Sequence, residues 1–252
     1  MAFFKPIKEI KVVTGLKVAI WGPPETGKTY FCCTCPEPVY INRVLVSTGR
    51  IDTEWGCTKV AKQHFPDKDI RVYEVKVVES EDPTKIDYYA TFKKIAEAVQ
   101  ALADVQEGTI CIDSVSDIYT WLNAWVEETA VKRTSIGTPQ RIEWGRRNTA
   151  YRNLIFRLLA KPVNVVITAQ PQRLYGSRGE ELNVYVPRWL EPQEHWADVV
   201  IKTEKKRVGV QIKYRATITK CRMMRAYNAV IENLTYAKLI KKLQQDLGVK
   251  YL

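Results

Sequence analysis

In the stretch Gly22-Pro23-Pro24-Glu25-Thr26-Gly27-Lys28-Thr29 two glycines bracket four residues, and a lysine and a threonine follow at once. Glycines at this spacing let the main chain curl so that its amides converge on phosphate oxygens. The lysine neutralises those oxygens, and the threonine hydroxyl can reach a Mg²⁺ ion. A nucleoside triphosphate, ATP with Mg²⁺, is the ligand such chemistry suits. The candidate binding set is therefore Gly22, Pro23, Pro24, Glu25, Thr26, Gly27, Lys28, Thr29 and the adjoining Tyr30.

A strand must deliver this loop and a helix must receive it, with the helix's first amides turned toward the phosphates. The run Leu16-Lys17-Val18-Ala19-Ile20-Trp21 supplies the strand, and Lys28 to Cys35 a short helix that Pro36 stops. Thr109-Ile110-Cys111-Ile112-Asp113 reads as a buried parallel strand that places a carboxylate at its carboxyl edge. Val163 to Ala169 is another, ending on Gln170. Val39 to Val46, Ile51 to Asp52 and Ile70 to Val78 read as further strands. Thr58 to His64, Thr91 to Leu102, Ser116 to Thr129 and Glu143 to Leu159 read as helices. Lys132 to Arg141 and Pro171 to Pro192 read as irregular basic loops. Ala197 to Lys202, Gly209 to Tyr214 and Ala216 to Cys221 read as late antiparallel strands, and Leu234 to Leu247 as a closing Lys-rich helix. Strands alternating with helices predict an α/β fold, a mostly parallel twisted sheet with helices on both faces. One domain over 1–252 is expected, with a lead-in over 1–15, a core over 16–225 and a helical segment over 226–252.

A chain of 252 residues, 46% hydrophobic and 27% charged, is long enough to bury a sizeable core. Its first apolar run is too short for a signal peptide and no later stretch approaches a membrane span, so a soluble, cytoplasmic protein with no membrane partner is expected. The cysteines at 32, 33, 35, 57, 111 and 221 show no paired C-x-x-C spacing, and His64 and His195 stand alone. Buried thiols, kept reduced inside a cell, are expected in preference to disulfides or zinc. The net charge of +11 is uneven. Residues 129 to 161 hold eight Lys/Arg against one Glu, and residues 171 to 225 hold twelve Lys/Arg against six Asp/Glu, which leaves the rest of the chain slightly acidic. A basic half of this kind suits a polyanion partner, although a solvated face would look the same.

Taken in order, Gly22 to Thr29, Asp52-Thr53-Glu54, Ile110 to Ser114, Val166 to Gln170 and Lys220-Cys221-Arg222 resemble the RecA-like recombinase ATPases, in the compact single-domain RadA/Sak form of phages and archaeal mobile elements. The resemblance covers about Leu16 to Arg225. It implies a RecA-like P-loop fold and DNA-dependent ATP hydrolysis in recombination or repair. Asp113 would join Thr29 at Mg²⁺, and Glu54 would orient or deprotonate the attacking water. A segment over Asn42 to Arg50 is inserted relative to that pattern, and Asp52 is the alternative to Glu54 across it. Gln170 would sense the γ-phosphate. Lys220 and Arg222 would reach a neighbouring subunit's phosphates as a finger pair, which makes a homo-oligomer, ring or filament, the expected assembly. They could equally be two edge-strand charges.

The basic loops would bind single-stranded DNA, with Lys132, Arg133 and Arg141 in one and Arg173, Tyr175, Arg178, Arg188 and Trp189 in the other. Cations hold phosphates there while aromatics stack on splayed bases. Annealing, strand exchange or recombinase loading is the leading expectation, with a single-strand binding protein or a recombinase as a further partner. A replication-type DNA motor or loader, a small-molecule phosphotransferase and a non-catalytic nucleotide switch remain alternatives.

Overall fold

The computed structural model describes residues 15–44, 56–82, 85–133, 138–176, 180–191, 193–209, 211–224 and 227–247. β1 (Lys17–Trp21) leads through the glycine loop to α1 (Lys28–Thr34). Then follow β2 (Val39–Val44), α2 (Gly56–His64), β3 (Ile70–Val75), α3 (Tyr88–Ala101), β4 (Thr109–Asp113), α4 (Val115–Arg133), α5 (Arg141–Leu159) and β5 (Asn164–Ala169). The second half holds β6 (Pro171–Tyr175), β7 (Glu181–Pro187), α6 (Gln193–Trp196), β8 (Val199–Val208), β9 (Gln211–Cys221), β10 (Ala229–Glu232) and α7 (Tyr236–Leu247).

The main sheet has the strand order β10-β9-β8-β1-β5-β4-β2-β3, while among the described residues β6 and β7 pair only with each other. From β8 to β3 all neighbours run parallel, and β9 and β10 run antiparallel. This is the α/β class that the sequence predicts. The central strands read as near-continuous Val/Ile runs because both of their faces are covered. Period-two alternation sorts them between two cores. Ala19, Ile110, Ile112, Val165 and Ile167 pack with Ile95 of α3, Trp121 of α4 and Ile155 of α5. Val18, Ile20, Cys111 and Val166 face the other way, toward Phe31 of α1 and Leu239 and Leu243 of α7. All six cysteines are buried, and burial pushes the Cys35 and Cys111 thiols well above their ordinary range.

A buried cation must be satisfied or it destabilises the fold. At the start of β1 the buried Lys17 donates from Nζ to the Lys161 and Val163 carbonyls, both at 2.6 Å, and burial lowers its pKa to about 8. Its amide donates to Asp198 Oδ2 at 2.9 Å, which ties β1 to the segment entering β8.

Several expectations need correction. Pro171 to Pro192 is not an irregular loop: it holds the β6–β7 hairpin and reaches the start of α6. Most of the hairpin is exposed, so no burial contrast marks its strands in the sequence. Gln211 to Tyr214 and Ala216 to Cys221 are one strand, β9, because Arg215 sits within it and pairs with Glu204 of β8, while Gly209 precedes the strand. The segment after 225 is not only helical. β10 pairs with β9 and extends the sheet, and its four residues were too short for a periodic signal. Lys132 and Arg133 belong to the last turn of α4 and Arg141 opens α5, so all three sit on helix ends. Arg133 is held there by Glu143, at 3.0 Å from its Nε.

Candidate functional site

The glycine loop leaves β1 at the carboxyl edge of the sheet, between β5 on one side and β8 on the other. Ligands gather at such a point in open α/β sheets because the crossover connections diverge there. Gly22 lies so close to β8 that an added Cβ would collide with the Thr203 carbonyl oxygen and hydroxyl. Gly27 turns the chain into α1 at φ 89°, a left-handed conformation that L side chains rarely adopt, and its Cβ position faces open space. The loop is thus pressed against β8 at one glycine and open at the other.

Lys28 is buried, and its Nζ donates to the carbonyls of Gly22 and Pro23, both at 2.7 Å. Burial lowers its pKa to about 8, while the charge of Asp113 acts in the opposite direction. Thr26 Oγ1 donates to the Pro23 carbonyl at 2.8 Å and stands 2.7 Å from Thr203 Oγ1. Glu25 pairs with Lys205 Nζ at 2.6 Å, and that hydrogen bond holds its carboxyl below the ordinary range.

Asp113 ends β4, one strand away from β1 across β5. Thr29 Oγ1 donates to its Oδ2 at 2.7 Å, and Thr168 Oγ1, on the intervening strand, donates to its Oδ1 at 2.6 Å. Gln170 follows directly on β5. Its amide donates to Ser116 Oγ at 2.8 Å and its carbonyl accepts from the Arg188 amide at 2.8 Å. A cavity of about 930 Å³ opens over these residues. Lys28, Thr29, Asp113 and Gln170 line it together with Tyr30, His64, Thr203, Tyr214, Asn233 and Lys238. That volume is of the size that binds a nucleotide-sized molecule.

The residues present fit a Mg²⁺ nucleotide. A hydroxyl and a carboxylate, both hard oxygen donors, already meet at Thr29 and Asp113. The open side of Gly27 leaves room for phosphates, and Lys28 stands beside them. Mg²⁺ held by Thr29 and Asp113 would offset phosphate charge.

The structure brings together the loop residues, Tyr30, Asp113 and Gln170 of the predicted set. Glu54, its alternative Asp52, and Arg178 lie outside the described residues. Lys220 and Arg222 stand at the opposite edge of the sheet, because Val200 pairs with Lys220 whereas the loop follows the Trp21–Lys202 level. Lys220 Nζ donates to the Glu194 carbonyl and to the Ala197 carbonyl, the latter at 3.1 Å. Arg222 pairs with Asp198 at 3.0 Å and donates to the carbonyls of His195 and Trp196, both at 2.9 Å. Arg173, Tyr175 and Arg188 are exposed on the β6–β7 hairpin or at its end. Trp189 corrects an expectation: it is 4% exposed and packs in the α3–α5 core, so its ring is not offered to a base.

Thr168, Thr203, Tyr214, Asn233 and Lys238 escaped the sequence reading. Thr168 had a usable signal, since it is a polar residue near the carboxyl-edge end of an otherwise apolar buried run. Tyr214, Asn233 and Lys238 had none, because only the turn from β9 through β10 into α7 carries them to the cavity.

A phosphate loop between the strands of a mostly parallel sheet, with a carboxylate on the next strand but one, defines a P-loop ATPase. The chain belongs to the AAA domain family, whose sequence profile matches residues 14–226. The match is to the AAA domain as such and names no recombinase. No curated protein matches the chain. Among solved structures, the KaiC-like protein of the hyperthermophilic archaeon Pyrococcus horikoshii OT3 is similar at 15% identity, over 87% of this chain and 85% of that one, with a TM-score of 0.44. Among the described residues no helix is long and apolar enough to cross a membrane.

Proposed function

We propose that this P-loop ATPase hydrolyses ATP in response to single-stranded DNA, in annealing, strand exchange or the loading of a recombinase. One observation carries the hydrolytic half: Asp113 accepts from both Thr29 and Thr168 beside Lys28 and Gln170, at the floor of a nucleotide-sized cavity. Lys28 and the loop amides would bind the phosphates, and Thr29 with Asp113 would hold Mg²⁺. Gln170 is one hydrogen bond from Arg188 at the foot of the β6–β7 hairpin, a short route from the γ-phosphate to the surface. Glu54, or Asp52 in its place, would supply the base.

The DNA half rests on the excess of Lys/Arg in residues 129–161 and 171–225, together with the motif order. A homo-oligomer completed by Lys220 and Arg222 would require their present bonds to α6 and Asp198 to open.

Turnover measured without DNA, with single strands and with duplex, across protein concentrations, tests this reading. Single strands should stimulate most. Equal stimulation by duplex would favour a motor or loader, and none at all would favour a phosphotransferase or switch. Glu54→Gln should keep ATP binding and slow hydrolysis by roughly 10²- to 10⁴-fold. If Asp52→Asn does so instead, the base is Asp52.

A further inference from the structure

Beyond Lys202 on β8 and Arg215 on β9 the two strands lose their outer neighbours. β1 pairs with β8 no further than Lys202, and β10 pairs with β9 no further than Arg215. Among the described residues, Lys205 to Val208 and Gln211 to Tyr214 therefore form a two-stranded ribbon with no third strand paired to it, exposed along its length and tied at its base by the Asn233 amide, which donates to the Tyr214 carbonyl at 2.9 Å. Over residues 202–215 six cations, Lys202, Lys205, Lys206, Arg207, Lys213 and Arg215, share the sequence with a single carboxylate, Glu204, and Lys205 also pairs with Glu25 of the phosphate loop.

Two of the cations stand directly opposite one another, Lys206 across from Lys213. Like charges facing across an antiparallel pair destabilise it, so folding alone gives no reason for them. Their shared face looks into solvent. On the other face Arg207 pairs with Ile212 and Lys205 with Tyr214, which sets exposed apolar groups among the cations.

We propose that this ribbon is the single-strand binding element of the protein. The inference rests on the nucleic-acid reading above and names its surface. A single strand wrapped across the ribbon would set phosphates against Lys206 and Lys213 on one face and against Lys205 and Arg207 on the other, where Tyr214 and Ile212 offer apolar surface to unstacked bases, which a paired duplex would keep inside. The ribbon joins the nucleotide loop through the Glu25–Lys205 pair and the Thr26–Thr203 hydrogen bond. A strand bound there would sit one side chain from the phosphates. The β6–β7 hairpin, in contrast, balances its charges: residues 171–191 hold three Lys/Arg and three Glu.

The test is the affinity of the full chain for a labelled oligothymidylate, measured across salt. Lys206→Gln/Lys213→Gln should bind about ten-fold more weakly, and its log–log salt slope should be shallower by about 0.7 for each lysine removed. Arg173→Gln/Arg188→Gln, which tests the other hairpin, should weaken binding less and change the slope less than the ribbon variant does. Thermal unfolding and circular dichroism of each variant establish that it is folded. If wild type binds and the ribbon variant binds equally well, or if only the Arg173/Arg188 variant weakens, the ribbon assignment is overturned while the nucleic-acid reading stands. If wild type binds no single strand, that reading itself fails. Tighter binding of wild type to duplex of the same length would overturn the single-strand commitment.

Discussion

Two antiparallel hairpins adjoin the phosphate loop, and they present different surfaces. The β6–β7 hairpin forms its own two-stranded sheet among the described residues, exposes Leu174, Tyr175, Leu182, Val184 and Tyr185, and carries balanced charge. The β8–β9 hairpin grows out of the main sheet and carries cations against one carboxylate over 202–215. The first meets the site through its backbone, by way of Gln170 and Arg188. The second meets it through side chains, by way of Thr203 and Lys205. The basic excess of residues 171–225 thus falls entirely after residue 191, on the second hairpin and the residues around it. A charge summed over a long segment does not say where its cations gather, and pairing in the sheet says which strands carry them.

The largest effects should come from the loop that both hairpins share. Lys28→Ala should abolish ATP turnover with little change in the melting midpoint, because among the described residues Nζ bonds only to the carbonyls of its own loop. Undiminished turnover in the purified, folded variant would remove the loop as the site. Gly22→Ala drives a methyl group into the Thr203 backbone. Overpacking of that kind costs about 1 to 3 kcal/mol. Titration calorimetry should therefore find ATP binding about ten-fold weaker, with the loss traced to the β8 side. If β6–β7 alone governed the loop, the substitution would leave affinity unchanged.

Trp189→Ala sharpens the contrast from the other side. Trp189 is a buried anchor at the foot of β6–β7, so its loss should destabilise the whole fold by about 3 to 5 kcal/mol in a denaturant titration. Tyr175→Ala, at 57% exposure on the same hairpin, should change stability by less than about 0.5 kcal/mol.

A pH titration probes the loop without any substitution. The Lys28 pKa near 8 belongs to the protein without nucleotide, and bound phosphates would raise it. The complex then holds more protons than the free protein above pH 8, so ATP affinity should fall as pH rises past 8, by up to about ten-fold per pH unit. Below about pH 7 Lys28 is charged in both states and contributes no slope. Lys28→Met should flatten the profile, and a wild-type affinity that rises from pH 8 to 9 would contradict the assignment.

Much of this was legible in the sequence, for reasons that differ between buried and exposed segments. Buried strands and the loop announce themselves because burial on both faces forces Val/Ile runs, and because phosphate binding needs glycine at 22 and 27 with Lys28 between Gly27 and Thr29. Asp113 was legible because a carboxylate closing an apolar run must sit where the buried strand meets water, at the carboxyl edge of the sheet. The exposed strands β6, β7 and the outer half of β8, beyond Lys202, were not, since a strand with water on both sides has no hydrophobic period to read. Trp189 looked like a stacking residue because composition cannot tell a buried ring from an exposed one. Thr203 and Lys205 came to the loop only because β8 is β1's neighbour, a fact of strand order that lies in no local pattern.

The smallest predicted effect is the one that separates the two hairpins most directly. Each has a cation neutralised by a surface carboxylate: Lys205 by Glu25 on one side, and Arg173 by Glu181 on the other. Both pairs are exposed, where an ion pair adds little to stability, so neither Glu25→Gln nor Glu181→Gln should move the melting midpoint measurably. Each substitution releases a cation in place. A released cation that lies on the path of a bound strand makes one more phosphate contact, which should steepen the log–log salt slope by about 0.7 and tighten binding slightly at low salt. Glu25→Gln should show this steepening, because Lys205 belongs to the ribbon. Glu181→Gln should not, because Arg173 sits among balanced charges. The reverse pattern would place the strand on β6–β7, and steepening in both would mean that the two hairpins grip one strand from either side of the loop.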